Sequence, residues 1–532
     1  MMTGEAAEIE AGERSCGVTR AYVFPARDQL FLLPVSMRDW VEEGHLAWFV
    51  LDVVRELDTS ALHCRPGGAP GRPPYEPEMM CALLLYAYCC GIRSSRRIEA
   101  SCRTDAAFRV ICGGLVPDHA TIARFVVDQE RALEGLFVEG LRLCAAAGLA
   151  DLAVVALDGT KVAADAALAR NRDAGWIRRE VAKLMAATAH DEQPALAGAE
   201  GLPGVEPVAE ICATARLARL QAALAVIEAE DAAAAAAAAI QAQAAAAQAD
   251  DGRQLKGRKP KQPLAALARA EIDHRVAVER LGGMQAAHAA KLAAADRGEQ
   301  LKAPPPCRIE RAQGVLARAE AALAAAQHAV QAAPLETRRA NITDPDSRIM
   351  STKDGWVQGY NAQAIVNQHQ IVLACQVSQD ANDVELYEPM TNTLAQSLAA
   401  AGITTEIELI LADAGYCSEA NLTTPGPDRL IATTKDHKQR RAARELGHSD
   451  GPPPPNATPV QEMEHLLRTP QGAAAYKQRS SLIEPVFGDR KHNRQVRNFR
   501  RRGLNAVRSE WAFIHLTGNM LKLYQHRAAA PA

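Results

Sequence analysis

The stretch LAVVALDGTKVAADA, residues 152–166, decides the fold class. A short apolar run with valines leads into Asp158-Gly159-Thr160, which predicts a buried strand with a carboxylate at its C-terminal end. Packing explains such a carboxylate poorly, whereas the carboxyl ends of strands are where α/β folds place ligands. Asp-Gly is also a turn dipeptide, so a plain turn aspartate is the alternative.

Downstream, the strand pattern stops over residues 175–335. DAAAAAAAAIQAQAAAAQAD (231–250) and RIERAQGVLARAEAALAAAQHAVQAA (308–333) are alanine-rich, charged and helix-prone. They predict long helices folding back as a coiled-coil-like hairpin, an insertion spanning 171–339. The GRKPK piece at 257–261 reads as a solvated basic loop, with DNA contact the less favoured reading. Strands resume with GYNAQAIVN (359–367) and QIVLACQVS (370–378), joined at Asn367-Gln368-His369 as a hairpin. DVELYEPMTNTLAQSLAAAG is an amphipathic helix with Asp383 as its expected cap. EIELILADAGY is an apolar strand ending in Asp413, DRLIATTK a further strand, and 436–470, with GPPPPNATP, an expected loop.

Upstream, residues 1–25 are expected to be disordered and 26–148 to form an all-α domain. PEMMCALLLYAYCCGI is a buried helix by composition, and Asp118 or Thr121 starts a helix bearing Arg124. Short helices with tight turns suggest a helix-turn-helix-like DNA-binding unit, and a plain helical bundle is the alternative.

Near the other end, YKQRSSLIEPVFGDRKHNRQVRNFRRR (476–502) sets Glu484 among Arg479, Arg490, Lys491, Arg494, Arg497 and three further arginines. Pro485 fits a first helical turn, where its missing N–H costs nothing. One carboxylate among so many cations makes sense if Glu484 holds a metal ion and the cations hold phosphates. A solvated basic helix with Glu484 in a surface ion pair explains the helix alone equally well.

Composition sets the outer bounds. The chain has 532 residues, 48% of them hydrophobic, enough for several domains with a real core. A net charge of −3 makes the basic character local rather than global. Twelve cysteines without a C-x-x-C pair argue against structural zinc and a disulfide framework, and for a reducing cytoplasm. Nothing reads as a signal peptide or a membrane span.

If the strands of Asp158 and Asp413 are neighbours and Glu484 lies beside the sheet, three carboxylates converge. They would repel unless cations neutralised them. Oxygen-only ligands suit Mg²⁺ or Mn²⁺, and two such ions support in-line phosphoryl displacement with no nucleophilic side chain. Asp165, Asp344, Asp346, Asp380 and Asp383 also lie near strand ends and compete.

With those residues in view, the chain resembles the DDE transposases of bacterial insertion sequences that carry a Tyr–Arg–Glu–Lys signature. Tyr476, Arg479, Glu484 and Lys491 carry the likeness, with Arg479 one position further from the glutamate than in the signature. LDGTK around Asp158 and ADAGY around Asp413 resemble the other two blocks, and residues from Tyr75 to Phe125 resemble the preceding helical domain.

The resemblance implies a ribonuclease-H-like mixed α/β core formed by 149–170 and 340–525, with Asp158, Asp413 and Glu484 as ligands of Mg²⁺ or Mn²⁺, two ions in all. Tyr476, Arg479 and Lys491 would contact the DNA backbone, with Arg494, Arg497 and Arg124 as further DNA contacts. The implied partners are double-stranded DNA, as terminal inverted repeats and target, and a second copy of the chain on that DNA. The implied setting is the bacterial cytoplasm, on the nucleoid. The alternatives are a DNA-binding protein that has lost its chemistry, a nuclease without strand transfer and, last, a structural coiled-coil protein.

Overall fold

A computed structural model describes residues 24–27, 36–63, 73–191, 208–250, 263–295, 297, 304–332, 338–434, 447–449 and 451–529. The expected disorder of 1–25 (but for residues 24 and 25) and the GRKPK loop lie outside these residues. The chain divides into two units, Met1–Leu168 with Asp346–Ala532, and Ala169–Pro345.

The strands are β1 (Val154–Ala163), β2 (Asn171–Asp173), β3 (Arg339–Asn341), β4 (Arg348–Thr352), β5 (Gly355–Asn367), β6 (Val372–Ser378), β7 (Leu409–Ala412) and β8 (Asp428–Ile431). In the first unit β1 is central. It pairs antiparallel with β5 on one side and parallel with β7 on the other, and β7 pairs parallel with β8. The other edge of β5 is shared, with β4 along Gly355–Gly359 and β6 along Asn361–Val366. A β6-β5-β1-β7-β8 order with two parallel strands after an antiparallel meander is the mixed sheet of a ribonuclease-H-like fold. Val155, Ala156, Leu157, Ile365, Val366, Ile410 and Leu411 are all fully buried at its centre, which is why these strands read as continuous apolar runs.

The first unit also holds helices Leu46–Glu56, Pro77–Cys89, Ser95–Thr104, Ala106–Ile111, His119–Asp128 and Glu130–Ala146. In Pro77–Cys89 every side chain except Glu78 is buried, so its sequence is apolar on all sides. The C-terminal helix, Leu504–Ala529, packs on Glu130–Ala146, on Pro77–Cys89 and on β6. The helical region and the sheet therefore share one continuous core. Glu510 on that helix is sealed within it. It accepts from Arg93 Nη1 at 3.0 Å and from the backbone N–H groups of Arg500 and Arg501 at 2.9 and 3.0 Å.

Three local features differ from the expectation. β1 runs on through Asp158 to Ala163, so the aspartate lies within the strand, because Gly159–Ala163 keep pairing with β5. Pro485 sits in the last turn of the helix Pro470–Gly488 rather than its first. The carbonyl of Ser481, which the proline cannot serve, accepts from Gln370 Nε2 at 3.3 Å, and a π-helical turn, Asp489–Asn493, follows. The expected loop 436–470 contains the helix Pro459–Arg468, started by a capping box between Thr458 and Gln461 with proline at its first position.

The second unit consists of helices Ala174–Asp191, Val208–Asp250, Pro263–Ala295 and Pro306–Ala332 with the short β2–β3 ladder. Pro263–Ala295 packs against both Val208–Asp250 and Pro306–Ala332. Among the described residues of this unit a small buried cluster comprises Ala174, Ile177, Leu220, Ala223, Ile227 and Ala340. Among the described residues no helix is long and apolar enough to cross a membrane.

Candidate active site

Parallel pairing of β1 with β7 puts Leu157 beside Ala412, so the next residues, Asp158 and Asp413, stand side by side. Asp158 Oδ1 accepts from the Gly159 N–H at 2.7 Å, and Oδ2 accepts from Arg479 Nη1 at 3.0 Å. Burial, and then the charge of Asp413, push the Asp158 carboxyl up to about 6, against the pull of Arg479. Two carboxylates held together with this much desolvation favour a cation between them. Asp413 Oδ1 accepts from the Gly415 N–H at 2.8 Å, which fixes the turn after β7.

The helix Pro470–Gly488, capped by Thr469, packs Leu482, Ile483, Val486 and Phe487 inward and lies against β1, β5 and β7. Arg479, 7% exposed, faces Asp158 from it. Lys491, in the π turn that follows, donates Nζ to Thr160 Oγ1 and, at 3.5 Å, to the Lys161 carbonyl. Burial and then Lys353 lower its pKa, while Asp158 raises it. Arg479 and Lys491 thus flank Asp158, one beside it and one two residues along β1.

Glu484 is exposed on the same helix. Among the described residues no three His, Cys, Asp or Glu side chains come close enough together to hold a metal ion. Asp158 and Asp413 are brought together; convergence of all three carboxylates, as expected from the sequence, is not. The oxygen-only pair Asp158–Asp413 still suits a hard divalent ion with open positions.

The expected DNA-contact residues fall into two groups. Arg124, on the helix His119–Asp128, and Arg497 are exposed, and Tyr476 is half-buried against the core. Arg494 is not at the surface. Its guanidinium, 5% exposed, donates to the carbonyls of Ile514 at 3.0 Å and Tyr88 at 2.8 Å and to Thr517 Oγ1. Burial, and then Arg490, bring its pKa down to about 10. It ties the π turn to two helices and presents nothing to a phosphate, which corrects the sequence expectation. Arg501 pairs with Glu130 and Arg502 with Asp165, so part of the basic run is consumed internally.

Asp383 was expected to cap a helix. It precedes the 3-10 turn Val384–Leu386 but makes no side-chain cap bond. Its Oδ1 accepts instead from Asn361 Nδ2 at 2.7 Å, Gln363 Nε2 at 2.9 Å and Lys161 Nζ at 3.3 Å. The available signal was the polar alternation of Asn361 and Gln363 within an otherwise apolar strand.

Two comparisons bear on this site. Residues 35–128 match the family described as Transposase domain (DUF772), and residues 334–520 match the family described as Transposase DDE domain. Asp413, Arg479, Glu484 and Lys491 lie inside the second match; Asp158 lies outside both. No curated protein and no solved structure matches the chain.

Proposed function

The chain belongs to the DDE transposases of insertion sequences, and from that premise we propose that it binds the terminal inverted repeats of its element, cleaves there to release 3′-hydroxyls and joins them to target DNA. The observation that carries this reading is the adjacency of Asp158 and Asp413, with Arg479 and Lys491 beside them.

Asp158 and Asp413 would hold Mg²⁺ or Mn²⁺, two ions in this reading, with Glu484 as the third ligand. Bound ions supply activation of a water or 3′-hydroxyl and offset charge on the leaving oxygen. Arg479 pairs with Asp158 and would position a phosphate of bound DNA. Lys491, hydrogen-bonded to Thr160, would hold the DNA backbone. Arg497 and Arg124 are exposed cations for the flanking duplex, and Tyr476 packs beside the same helix. Cutting two ends together calls for at least a dimer on DNA, working in the cytoplasm on the nucleoid.

The test is Mg²⁺-dependent cleavage of DNA bearing the element's ends, followed by joining to a plasmid, for the parent and Glu484→Gln. The expected result is end binding without cleavage or joining in the variant. A variant that cuts like the parent removes Glu484 from the ligand set. A parent that cuts without joining is a nuclease.

A further inference from the structure

We propose that Asp383 is a positioning residue of the ion site: held from behind β1 by Lys161, Asn361 and Gln363, it turns its second oxygen to the Asp413 loop and raises the site's affinity for a divalent cation. This rests on Asp158 and Asp413 being the ion ligands.

Register explains how Asp383 gets there. On β1, Gly159 and Lys161 alternate with Asp158 and Thr160, so they point to the opposite face. Opposite them on β5 stand Gln363 and Asn361. Both amides are essentially buried, at 1% and 0% exposure, and each would cost free energy without partners. They are served within one network. Gln363 Nε2 donates to Asn361 Oδ1 at 3.0 Å as well as to Asp383, and Gln363 Oε1 accepts from the Tyr416 hydroxyl. Tyr416 belongs to the turn that starts at Asp413. The network therefore runs from Asp383 to the loop of the second ligand.

Two glycines make the room. A Cβ at Gly159 would collide with Gln363 Nε2 and lie 3.0 Å from Asp383 Oδ1. A Cβ at Gly415 would lie 3.0 Å from Asp413 Oδ1 and 3.2 Å from Asp383 Oδ2. The two carboxylates thus approach the same point beside Gly415. Three donors on Oδ1 fix the carboxylate plane and leave Oδ2 aimed at Gly415.

The electrostatics act in one direction. Asp383 adds negative charge near the ligands and pairs the Lys161 ammonium, a charge that would otherwise oppose a cation at the site. Removing the charge both weakens the field and unmasks the lysine. Outer partners of metal ligands are worth about 10–100-fold in affinity.

The experiment is Mn²⁺ binding to the full chain by electron paramagnetic resonance, with metal-dependent end cleavage measured alongside. Asp383→Asn is expected to keep its melting temperature and end binding but to bind Mn²⁺ about 10–100-fold more weakly. Half-saturating Mn²⁺ for cleavage should rise by the same factor. Asp383→Glu, which keeps the charge, should bind far more tightly than Asp383→Asn, and Asp380→Asn should change neither readout. Parent-like Mn²⁺ affinity in Asp383→Asn overturns the proposal, as does equal loss in Asp383→Glu. A parent that binds no Mn²⁺ overturns the ion site itself, a separate failure.

Discussion

In the unit formed by residues 1–168 and 346–532 the core contains Trp511, Tyr360, Tyr387, Tyr416 and Phe499, each less than 2% exposed. Among the described residues of the unit of 169–345, one buried cluster comprises Ala174, Ile177, Leu220, Ala223, Ile227 and Ala340, and the other buried apolar residues are mostly alanines of the long helices, with Ile272 and Leu281. Large aromatics contribute stability through burial, about 1.5–3 kcal/mol for a side chain of this class. Alanine buries little but has the best helix propensity, which suits the 43-residue helix Val208–Asp250. The two units hold their ion pairs differently. Arg93–Glu510, Arg494 and the Asn361–Gln363 network are all set in the dense unit, where tight packing holds them in one geometry. In the alanine-rich unit, ion pairs such as Arg216–Glu180 and Arg338–Asp231 are partly exposed and worth little each, although Asn171, Asn341 and Asp344 are buried there.

The largest effect that would break this contrast is at Glu510. Replacing it with alanine leaves two backbone N–H groups without their acceptor and Arg93 without its counter-charge, held only by the Asn498 and Gln495 carbonyls, and should cost about 3–5 kcal/mol in denaturant unfolding. A loss below about 1 kcal/mol would mean that water takes the carboxylate's place.

Next comes Ile177→Ala, which empties the largest share of a small cluster. It should cost about 2–4 kcal/mol and lower the melting of the helical unit in calorimetry. If the transition of the sheet unit falls instead, the two units do not differ in the way their cores suggest.

A smaller effect, of opposite sign, belongs to Asp158. Its folded-state pKa of about 6 lies above the ordinary 3.8, so its contribution to stability is fully present below about pH 4 and is lost as pH rises through 6. Asp158→Asn removes that loss, and at pH 7 without divalent ions should be more stable than the parent by up to about 3 kcal/mol. A variant less stable at pH 7 would show that the ion pair with Arg479 outweighs the desolvation. Added Mg²⁺ should narrow the gap by stabilising only the parent.

Much of the sheet was legible because its signals are local. The apolar runs that became β1 and β7, the turn at Asn367–His369 and the helix Tyr387–Ala400 each carry their own pattern. What was not legible depends on distant partners. Arg494 reads as one more surface cation, and only the carbonyls of Tyr88 and Ile514, far along the chain, turn it inward. Asp383 looks like a helix cap, and only Gly159 and Gly415 open the space that lets it reach the sheet. The helix Pro459–Arg468 was concealed by the proline run before it, although Thr458-Pro459 with Gln461 is a start signal.

The most direct measurement is Mg²⁺-dependent cleavage of end-bearing DNA by Asp413→Asn, with end binding measured in the same samples. Unchanged binding is expected with cleavage lower by at least about 100-fold, since a ligand should matter more than an outer partner. Cleavage at the parent's rate would contradict it, because the pairing of β1 with β7 would then have assembled two aspartates that the reaction does not use.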